Sequence, residues 1–269
     1  MLNQITPVLL TLNEAPNIER TLSALTWAKE IVVVDSGSSD GTVDIVKRFP
    51  NAKLFLRSFD NHANQWRYAA TDTAIGTPWI LRLDADYQLT PELLGESRTL
   101  DPDAPVNAYR VGFDYAIFAH KLRASLYPSN VILIRRGYFT VRERGHTEKW
   151  IIDGPIGTLR ARIIHDDCKD TAAWLTAQGR YMQLELDRLA TEPHGFRDWL
   201  RRRPPLMPIA VFFYCLFAKG LIFNGRTGLF YSLQRMIAEA VLALMLIDSK
   251  IKSRSAAKAG QNNPAGPSI

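Results

Sequence analysis

The sequence has few of the residues that build disulfide-rich proteins. Its 269 residues include two cysteines, Cys168 and Cys215, and these are not in the CxxC spacing of metal sites. Two cysteines cannot form a disulfide framework, so we expect a protein of the reducing cytosol. Two nucleotide-binding glycine motifs are also absent, because no GxGxxG follows the first apolar run and GxxxxGK[ST] occurs nowhere. A dinucleotide oxidoreductase and a P-loop ATPase are therefore poor fits.

Excess charge of either sign is absent from most of the chain. Residues 1–193 contain 22 Lys and Arg against 24 Asp and Glu, whereas residues 194–269 contain 11 against 3. The near-neutral body argues against a nucleic-acid groove, and the basic end indicates contact with an anionic surface, most simply a membrane. A hydrophobic content of 46% with 22% charged residues is that of a globular protein and excludes whole-chain disorder.

The chain also lacks an uninterrupted apolar run of the roughly 20 residues that span a bilayer. Residues 206–223 contain Pro208 and Lys219, and the shorter run 236–247 contains Glu239. Basic residues lie at the outer end of each run, before residue 206 and after residue 247. We therefore expect an interfacial helical hairpin over residues 194–248 rather than two spans. The alternative is two ordinary helices packed on the catalytic domain or on a second copy of the chain.

Neither end of the chain carries a signal that changes this interpretation. The first residues have no basic region followed by an apolar run, so we expect no export. Residues 249–269 are rich in Gly, Pro, Asn and Ala and are predicted to be a disordered basic tail.

The first hundred residues alternate apolar runs of strand length with helical patterns. Strands are predicted at 5–12, 31–35, 53–56 and 79–83, with helices between them. This βαβ pattern predicts an α/β protein with a mostly parallel, Rossmann-like mixed sheet, covered by helices on both faces. We assign residues 1–193 to this catalytic domain, with halves 1–100 and 101–193.

Polar residues follow three of the predicted strands. Asn13 and Glu14 follow the first strand, Asp35 ends the second, and the Asp84-Ala-Asp86 sequence closes the fourth. Asp and Asn also favour turns for purely structural reasons. Because parallel sheets bind ligands beyond the carboxyl ends of their strands, three such ends together indicate a binding site. Two carboxylates after a buried strand suit Mg²⁺ or Mn²⁺ bridged to a diphosphate.

Three segments carry a resemblance to a known family. Residues 11–14 (TLNE), 34–42 (VDSGSSDGT) and 79–86 (WILRLDAD) resemble the nucleotide-sugar half of family 2 glycosyltransferases of the GT-A fold. The resemblance extends more loosely to the bacterial lipopolysaccharide-core and polysaccharide type, through residues 145–148 (GHTE), His165 and the C-terminal apolar helical pair.

The resemblance implies inverting transfer of a sugar from a nucleoside diphosphate donor, UDP-sugars foremost. It places Asp35 at the uracil, Asp84 at the ribose or donor sugar and Asp86 on the metal, with Asp84 and His165 as further metal ligands. It also places Thr11, Asn13 and Glu14 along the nucleotide, with Gln65 of the third helix nearby. Two departures from the family pattern are Tyr87, where the family has an acid, and Arg67, which could contact the diphosphate.

Inverting transfer needs a base within hydrogen-bond reach of the acceptor hydroxyl. The segment that the resemblance places opposite the donor contains Glu148, our preferred base, and His146, its rival; Asp114 is a third candidate. Glu148 could instead be a surface ion-pair partner of a neighbouring arginine. His165 could be a buried structural histidine rather than a ligand of the metal or a phosphate.

The sequence therefore predicts a metal-dependent glycosyltransferase that acts on a glycan or lipid-linked glycan at the cytoplasmic face of the inner membrane. It would be peripheral or monotopic, without nucleic acid, and a homodimer is an open alternative for its apolar helices. Two other functions stay open: a sugar-phosphate nucleotidyltransferase, and a nucleotide-sugar-binding protein that has lost its chemistry.

Overall fold

The computed structural model describes residues 1–144, 147–191, 195–203 and 206–261. The chain separates into two compact units, Met1–Asp170 and Thr171–Ile269. The predicted boundary at residue 193 lies one helix later. This differs because the helix that follows Asp170 packs against the last helix of the chain and so belongs with the second unit.

The first unit is an α/β domain. Its helices are α1 (Ile18–Ser23), α2 (Thr42–Lys47), α3 (His62–Thr71) and α4 (Pro91–Thr99). Its strands are β1 (Ile5–Thr11), β2 (Ile31–Asp35), β3 (Ala52–Leu56), β4 (Trp79–Asp84), β5 (Tyr87–Gln88), β6 (Ala108–Ile117), β7 (His120–Lys121), β8 (Asn130–Arg135), β9 (Phe139–Arg144), β10 (Thr147–Ile152) and β11 (Ile156–His165). The predicted strand–helix alternation of the first hundred residues is confirmed.

The central sheet has the strand order β3-β2-β1-β4-β8-β6-β11-β5. Strands β1 to β4 are mutually parallel, β8 runs antiparallel to both β4 and β6, and β11 is parallel to β6. The carboxyl ends of β1, β2, β4 and β11 therefore meet at one edge of the sheet. This mixed, mostly parallel sheet is the predicted fold class, and it brings the polar strand ends together.

Each face of the sheet has its own core, because successive strand residues point to opposite sides. Ile31 and Val33 of β2 pack with α1, α2 and α4, whereas Val32 and Val34 pack with α3. The second face is completed by the antiparallel hairpin β9–β10, where Trp150 meets Trp66 of α3 at a ring-centroid distance of 5.7 Å. The hairpin is therefore fixed against the α3 face.

The second unit contains the helices α5 (Thr171–Thr191), α6 (Gly195–Arg201), α7 (Leu206–Phe213) and α8 (Gly225–Gln261). A π-helical turn (Tyr214–Ala218) extends α7, and a 3₁₀ turn (Leu221–Asn224) precedes α8. The helix predicted to end near residue 247 continues to residue 261, so the part of the predicted disordered tail up to there is helical. Residues 262–269 lie outside the described residues.

Buried ion pairs connect the helices of the second unit. Arg201 of α6 lies 2.6 Å from Glu185 of α5 and 2.5 Å from Glu239 of α8, and Arg188 pairs with Glu185 and Asp198 at 2.9 Å. Glu239, which interrupts the second apolar run in the sequence, is therefore neutralised inside the fold. Within the described residues, Leu221–Ser255 is long and apolar enough to cross a membrane by length and composition, although 39% of its most apolar window is buried.

Candidate active site

The first two strand ends are joined by a direct hydrogen bond. Thr11 and Asp35 are register partners on the parallel strands β1 and β2, and Thr11 Oγ1 donates to Asp35 Oδ2 at 2.7 Å. Asp35 Oδ1 accepts from the backbone N–H groups of Gly37 and Ser38 at 2.9 and 2.8 Å, and the Ser38 hydroxyl donates to Oδ2 at 2.6 Å. Fully buried Asp35 thus holds the loop that follows β2 in one conformation.

The loop after β1 is joined to the loop after β2 in the same way. Asn13 adopts a left-handed φ of 55°, and its side-chain oxygen accepts from Ser39 N at 2.9 Å. The backbone N–H of Glu14 donates to Thr42 Oγ1 at 2.8 Å. Asn tolerates this backbone conformation better than other residues with a side chain. The residues expected to line the nucleotide therefore lie in one cross-linked pair of loops.

Gln65 reaches these loops from α3, as the resemblance implied, but Arg67 does not. The buried Gln65 amide donates to Ser36 Oγ at 3.0 Å, and its oxygen accepts from Arg57. Arg67 is exposed on α3, donates to Asn64 Oδ1 at 2.7 Å and reaches the Val141 carbonyl at 3.3 Å. Arg67 thus connects α3 to the hairpin, and these contacts assign it no place at the diphosphate.

The carboxylates after β4 form an electrostatically strained pair. Burial, together with the negative charges of Asp86 and Glu148, raises the pKa of Asp84 above its ordinary value. His165 Nε2 lies 2.9 Å from Asp86 Oδ2, and this contact lowers the pKa of Asp86 against the effect of burial. Thr21 Oγ1 donates to the Ala85 carbonyl at 2.5 Å and fixes the turn between the two carboxylates.

His165 ends β11 and packs among aromatic rings. Its ring centroid lies 4.3 Å from that of Tyr127, 4.7 Å from Tyr115 and 5.5 Å from Tyr87. Burial alone would lower the pKa of His165, but Asp86 outweighs it and raises that pKa. The residue that departs from the family pattern, Tyr87, therefore forms part of an aromatic wall, and its hydroxyl lies 2.6 Å from that of Tyr127.

Glu148 of β10 lies beside the strand that carries the aspartates. Its Oε1 is 2.5 Å from a guanidinium nitrogen of Arg82, which precedes Asp84 by two residues on the same face of β4. Arg82 also lies over the rings of Trp66 and Trp150, at 5.1 and 5.5 Å from their centroids. Glu148 is thus not the surface partner of a hairpin arginine, since its partner is a buried residue of the sheet.

The other two candidate bases are placed differently. His146 lies outside the described residues. Asp114 forms ion pairs with Arg162 at 2.7 Å and Lys121 at 2.6 Å, and hydrogen bonds from these two cations lower its pKa. A carboxylate held between two cations is a weak proton acceptor. Both oxygens of Asp114 are held by cations, whereas Arg82 holds Oε1 of Glu148, and this difference favours Glu148 over Asp114.

A polar segment after β11, which the sequence did not identify, borders the site. Lys169 Nζ lies 2.5 Å from Glu14 Oε1, and Asn17 of the β1 loop donates to Asp167 Oδ1 at 3.1 Å. Arg20 holds the same segment through Asp166 at 3.1 Å. Burial raises the pKa of Glu14 to about 7 against the opposing charge of Lys169. These contacts join residues about 150 positions apart, so no local pattern could reveal them.

The aspartates fit a divalent cation. Among the residues that the structure describes, no three His, Cys, Asp or Glu side chains converge into a complete metal cage. The predicted ligands Asp84, Asp86 and His165 are thus not assembled as a set, and His165 instead contacts Asp86. The second Asp86 oxygen, Oδ1, is buried and has no hydrogen-bond partner in the described part of the chain. Mg²⁺ in phosphate sites is bound by one or two carboxylates with phosphate oxygens and water, and two neighbouring aspartates match that set.

Comparisons with known proteins show which families the chain resembles. Residues 8–98 match the model of Glycosyl transferase family 2. The lipopolysaccharide core biosynthesis glycosyltransferase LpsC of Rhizobium meliloti is 27% identical over 272 residues, covering 94% of each chain. An uncharacterized glycosyltransferase of Rickettsia bellii is 36% identical over 94 residues, which span 35% of this chain and only 31% of that relative.

The fold is also found in a solved structure. The mannosyltransferase PcManGT of Pyrobaculum calidifontis, determined with GDP-Man and Mn²⁺, aligns over 90% of this chain and 87% of its own, with a TM-score of 0.51 and 18% identity. This likeness supports the predicted GT-A fold. Residues 8–98 therefore match the family 2 glycosyltransferases, and a glycosyltransferase is similar over 94% of the chain; both findings support the predicted transferase enzyme.

Proposed function

We propose that the chain transfers a sugar, with inversion, from a nucleoside diphosphate sugar to a hydroxyl of a glycan or lipid-linked glycan. The observation that carries the proposal is the position of Asp84 and Asp86 at the carboxyl end of β4, with Glu148 held beside the same strand. Two of these carboxylates follow one strand, and the third is brought to that strand by Arg82. A transferase needs both a place for the leaving diphosphate and a base for the acceptor, and this edge offers both.

The nucleotide binds at the joined loops after β1 and β2. Asp35 already accepts hydrogen bonds from Thr11, Gly37 and Ser38, so its main contribution is to shape the loop. A base contact to the Asp35 carboxylate would require Ser38 to exchange its hydrogen bond for one from the nucleotide. The donor is a UDP-sugar in our proposal, and the GDP-Man of the Pyrobaculum mannosyltransferase makes GDP-sugars the second class to test.

Asp84 and Asp86 would hold a divalent cation together with the diphosphate. When bound, Mn²⁺ or Mg²⁺ would neutralise the charge that develops on the departing nucleoside diphosphate. Asp86 offers its unpartnered Oδ1, while the contact with His165 keeps Oδ2 oriented and the carboxylate ionised. Lys169 lies within the electrostatic reach of Asp86 and adds a positive charge on the same side.

Glu148 acts as the base that accepts the proton of the attacking hydroxyl. Arg82 binds Oε1 and fixes the orientation of the carboxylate, so Oε2 is the oxygen that we assign to the acceptor. The rings of Trp66 and Trp150 pack against Arg82, and both side chains of the ion pair are buried. His146 stays the rival base.

The proposed acceptor class is based on a relative that is similar over 94% of the chain. LpsC is named for lipopolysaccharide core biosynthesis, so we assign a lipid-linked glycan of that kind as the acceptor and the cytoplasmic face of the inner membrane as the place of reaction.

A donor panel with two readouts tests the function. We expect thermal stabilisation of the full chain by one class of UDP- or GDP-sugar, dependent on Mn²⁺ and lost in Asp86→Ala. Incubation of that donor with deacylated lipopolysaccharide core should then give, by NMR of the product, an anomer inverted relative to the donor. A retained anomer would refute the inverting mechanism. Stabilisation that survives chelation, or in Asp86→Ala, would refute the metal assignment.

A further inference from the structure

The second unit exposes an unusual number of large apolar side chains along one side of α7. Leu206, Ile209, Phe213 and Phe217 recur at spacings of three and four residues, which places them on one helical face. Each of them is more than half exposed, and Phe217 is 61% exposed. Residues between them, Val211 and Cys215, are buried, so α7 has its inner face already packed. The outer face therefore needs a different partner.

The neighbouring helix α6, which contacts α7, exposes a second aromatic pair. Phe196 and Trp199 stack with ring centroids 5.4 Å apart and are 75% and 49% exposed. Phe213 and Phe217 stack in the same way at 6.0 Å. We call these six side chains the aromatic face: Phe196, Trp199, Leu206, Ile209, Phe213 and Phe217. Monomeric soluble proteins rarely expose apolar patches of this kind unless the patch binds something.

The charges around the aromatic face are positive. Residues 195–226 contain six Lys and Arg against one acid, Asp198. Asp198 and Arg201 are both buried in the ion-pair cluster, so five basic residues remain in this segment. The Arg203 guanidinium lies over the Trp199 ring at 3.5 Å, and Arg197 is 62% exposed although it also contacts the buried Glu239 at 3.1 Å. Aromatic side chains beside arginines match the boundary between lipid headgroups and acyl chains, particularly where the lipids are anionic.

We infer that the aromatic face docks on the surface of a bilayer containing anionic lipid, with α6 and α7 lying in the interface. A second copy of the chain is a poorer occupant, because it would set one basic rim against another. The inference is independent of the proposed reaction, since every residue that carries it belongs to the second unit.

The geometry favours lying on the bilayer over crossing it. The apolar helix 206–218 is about 20 Å long at 1.5 Å per residue, against a hydrocarbon core of about 30 Å. It is followed by Lys219 and by Gly220 at a left-handed φ of 67°. The longer α8 is held at its middle by the buried pair of Glu239 with Arg201, which ties that turn to α6 rather than to lipid.

Vesicle binding of the full chain tests the inference. The probe is phosphatidylcholine vesicles with and without phosphatidylglycerol, and the readout is co-sedimentation. We expect binding that strengthens with phosphatidylglycerol and weakens only partly at high salt. The double variant Phe213→Ser/Phe217→Ser should lower the partition coefficient at least tenfold, and Arg203→Gln should reduce it only on the anionic vesicles.

Matched controls distinguish bilayer docking by the aromatic face from misfolding of the variant and from dimer formation. Tyr138→Ser removes an exposed aromatic side chain from the first unit and should leave vesicle binding unchanged. Circular dichroism should show the double variant folded, and lipid brominated near the headgroup should quench Trp199 more than lipid brominated at the bilayer centre, measured against Trp199→Phe. Unchanged binding by the double variant would overturn the inference. So would a wild-type chain that ignores both vesicles, or one that sediments as a dimer which the double variant dissociates.

Discussion

The guanidinium of Arg82 lies 2.5 Å from Oε1 of Glu148, with both side chains less than 10% exposed. This pair connects the strand that ends in the two aspartates to the hairpin that carries the proposed base. A charged residue in the middle of a buried strand is otherwise unfavourable, because burial of an unpaired charge costs several kcal/mol. The pair explains how Arg82 is accommodated and why the hairpin is held at the site.

Removal of Arg82 should therefore affect stability and turnover together. Arg82→Met leaves the Glu148 carboxylate buried without its partner, and we expect a loss of about 3–5 kcal/mol in the free energy of unfolding. Urea denaturation measures this change. Arg142→Met, an exposed arginine on β9, is the control and should stay within about 0.5 kcal/mol of the wild type. A stable Arg82→Met chain with full turnover would show that the pair does not organise the site.

Asp35 should matter for donor binding through the shape of its loop. Asp35→Asn replaces one carboxylate oxygen by an NH₂ group. This group would face the Ser38 hydroxyl or the Gly37 N–H, which are themselves donors. We expect the unpaired donors to destabilise the loop by about 1–3 kcal/mol. We expect the donor KM to rise while kcat changes little. Asp44→Asn on the exposed side of α2 is the control. A kcat effect without a KM effect would contradict this role.

Glu14 predicts a pH dependence of stability. Burial raises its pKa from 4.5 to about 7, so the folded chain holds this proton more tightly than the unfolded chain does. The stabilisation is then fully present below pH 4.5 and is lost as the pH rises towards 7, by up to about 3 kcal/mol.

The difference in unfolding free energy between wild type and Glu14→Gln isolates this contribution. In chelator, this difference should decrease between pH 4.5 and 7, whereas for Glu19→Gln, on the exposed side of α1, it should stay flat. If the difference in unfolding free energy for Glu14→Gln does not change with pH, the charge of Lys169 fully offsets the effect of burial on the pKa of Glu14.

The stability of the second unit should depend on Arg201. Arg201→Met leaves Glu185 and Glu239 facing each other without their common cation, and we expect a loss of about 3–5 kcal/mol. Arg180→Met on the exposed side of α5 is the control. Addition of Glu239→Leu to Arg201→Met should recover part of the loss, because it removes one uncompensated charge. If the double variant is no more stable than Arg201→Met, Glu239 is not part of the interaction.

The fold was predictable where one local signal sufficed. β1, β2 and β4 are apolar runs that end in polar residues, and burial on both faces gives such runs an unmistakable pattern. The hairpin β9–β10 was missed because its residues mix charged and apolar types without a clear alternation. The helical extension of α8 to residue 261 was missed because the apolar pattern stops near residue 247, although Lys, Arg and Ala continue to favour a helix.

The site was predictable only along single segments. Asp84 and Asp86 follow one strand, and Asp35 ends another, so their positions follow from sheet topology. The partner of Glu148 was not predicted, although an arginine inside the apolar sequence WILRL was a usable signal. The contact of Lys169 with Glu14 joins two loops distant in the sequence and has no such signal.

The central claim is that Glu148 is the base, and its most direct test is to measure both donor affinity and turnover in the Glu148→Gln variant. Glutamine keeps the shape of the side chain and removes its proton affinity, so calorimetric titration with the nucleotide sugar and Mn²⁺ should give wild-type affinity. Turnover of the same protein should fall by roughly 10²–10⁴-fold, the usual contribution of a general base. If donor affinity falls with turnover, or turnover stays at the wild-type rate, Glu148 is not the base and the account of the site is wrong.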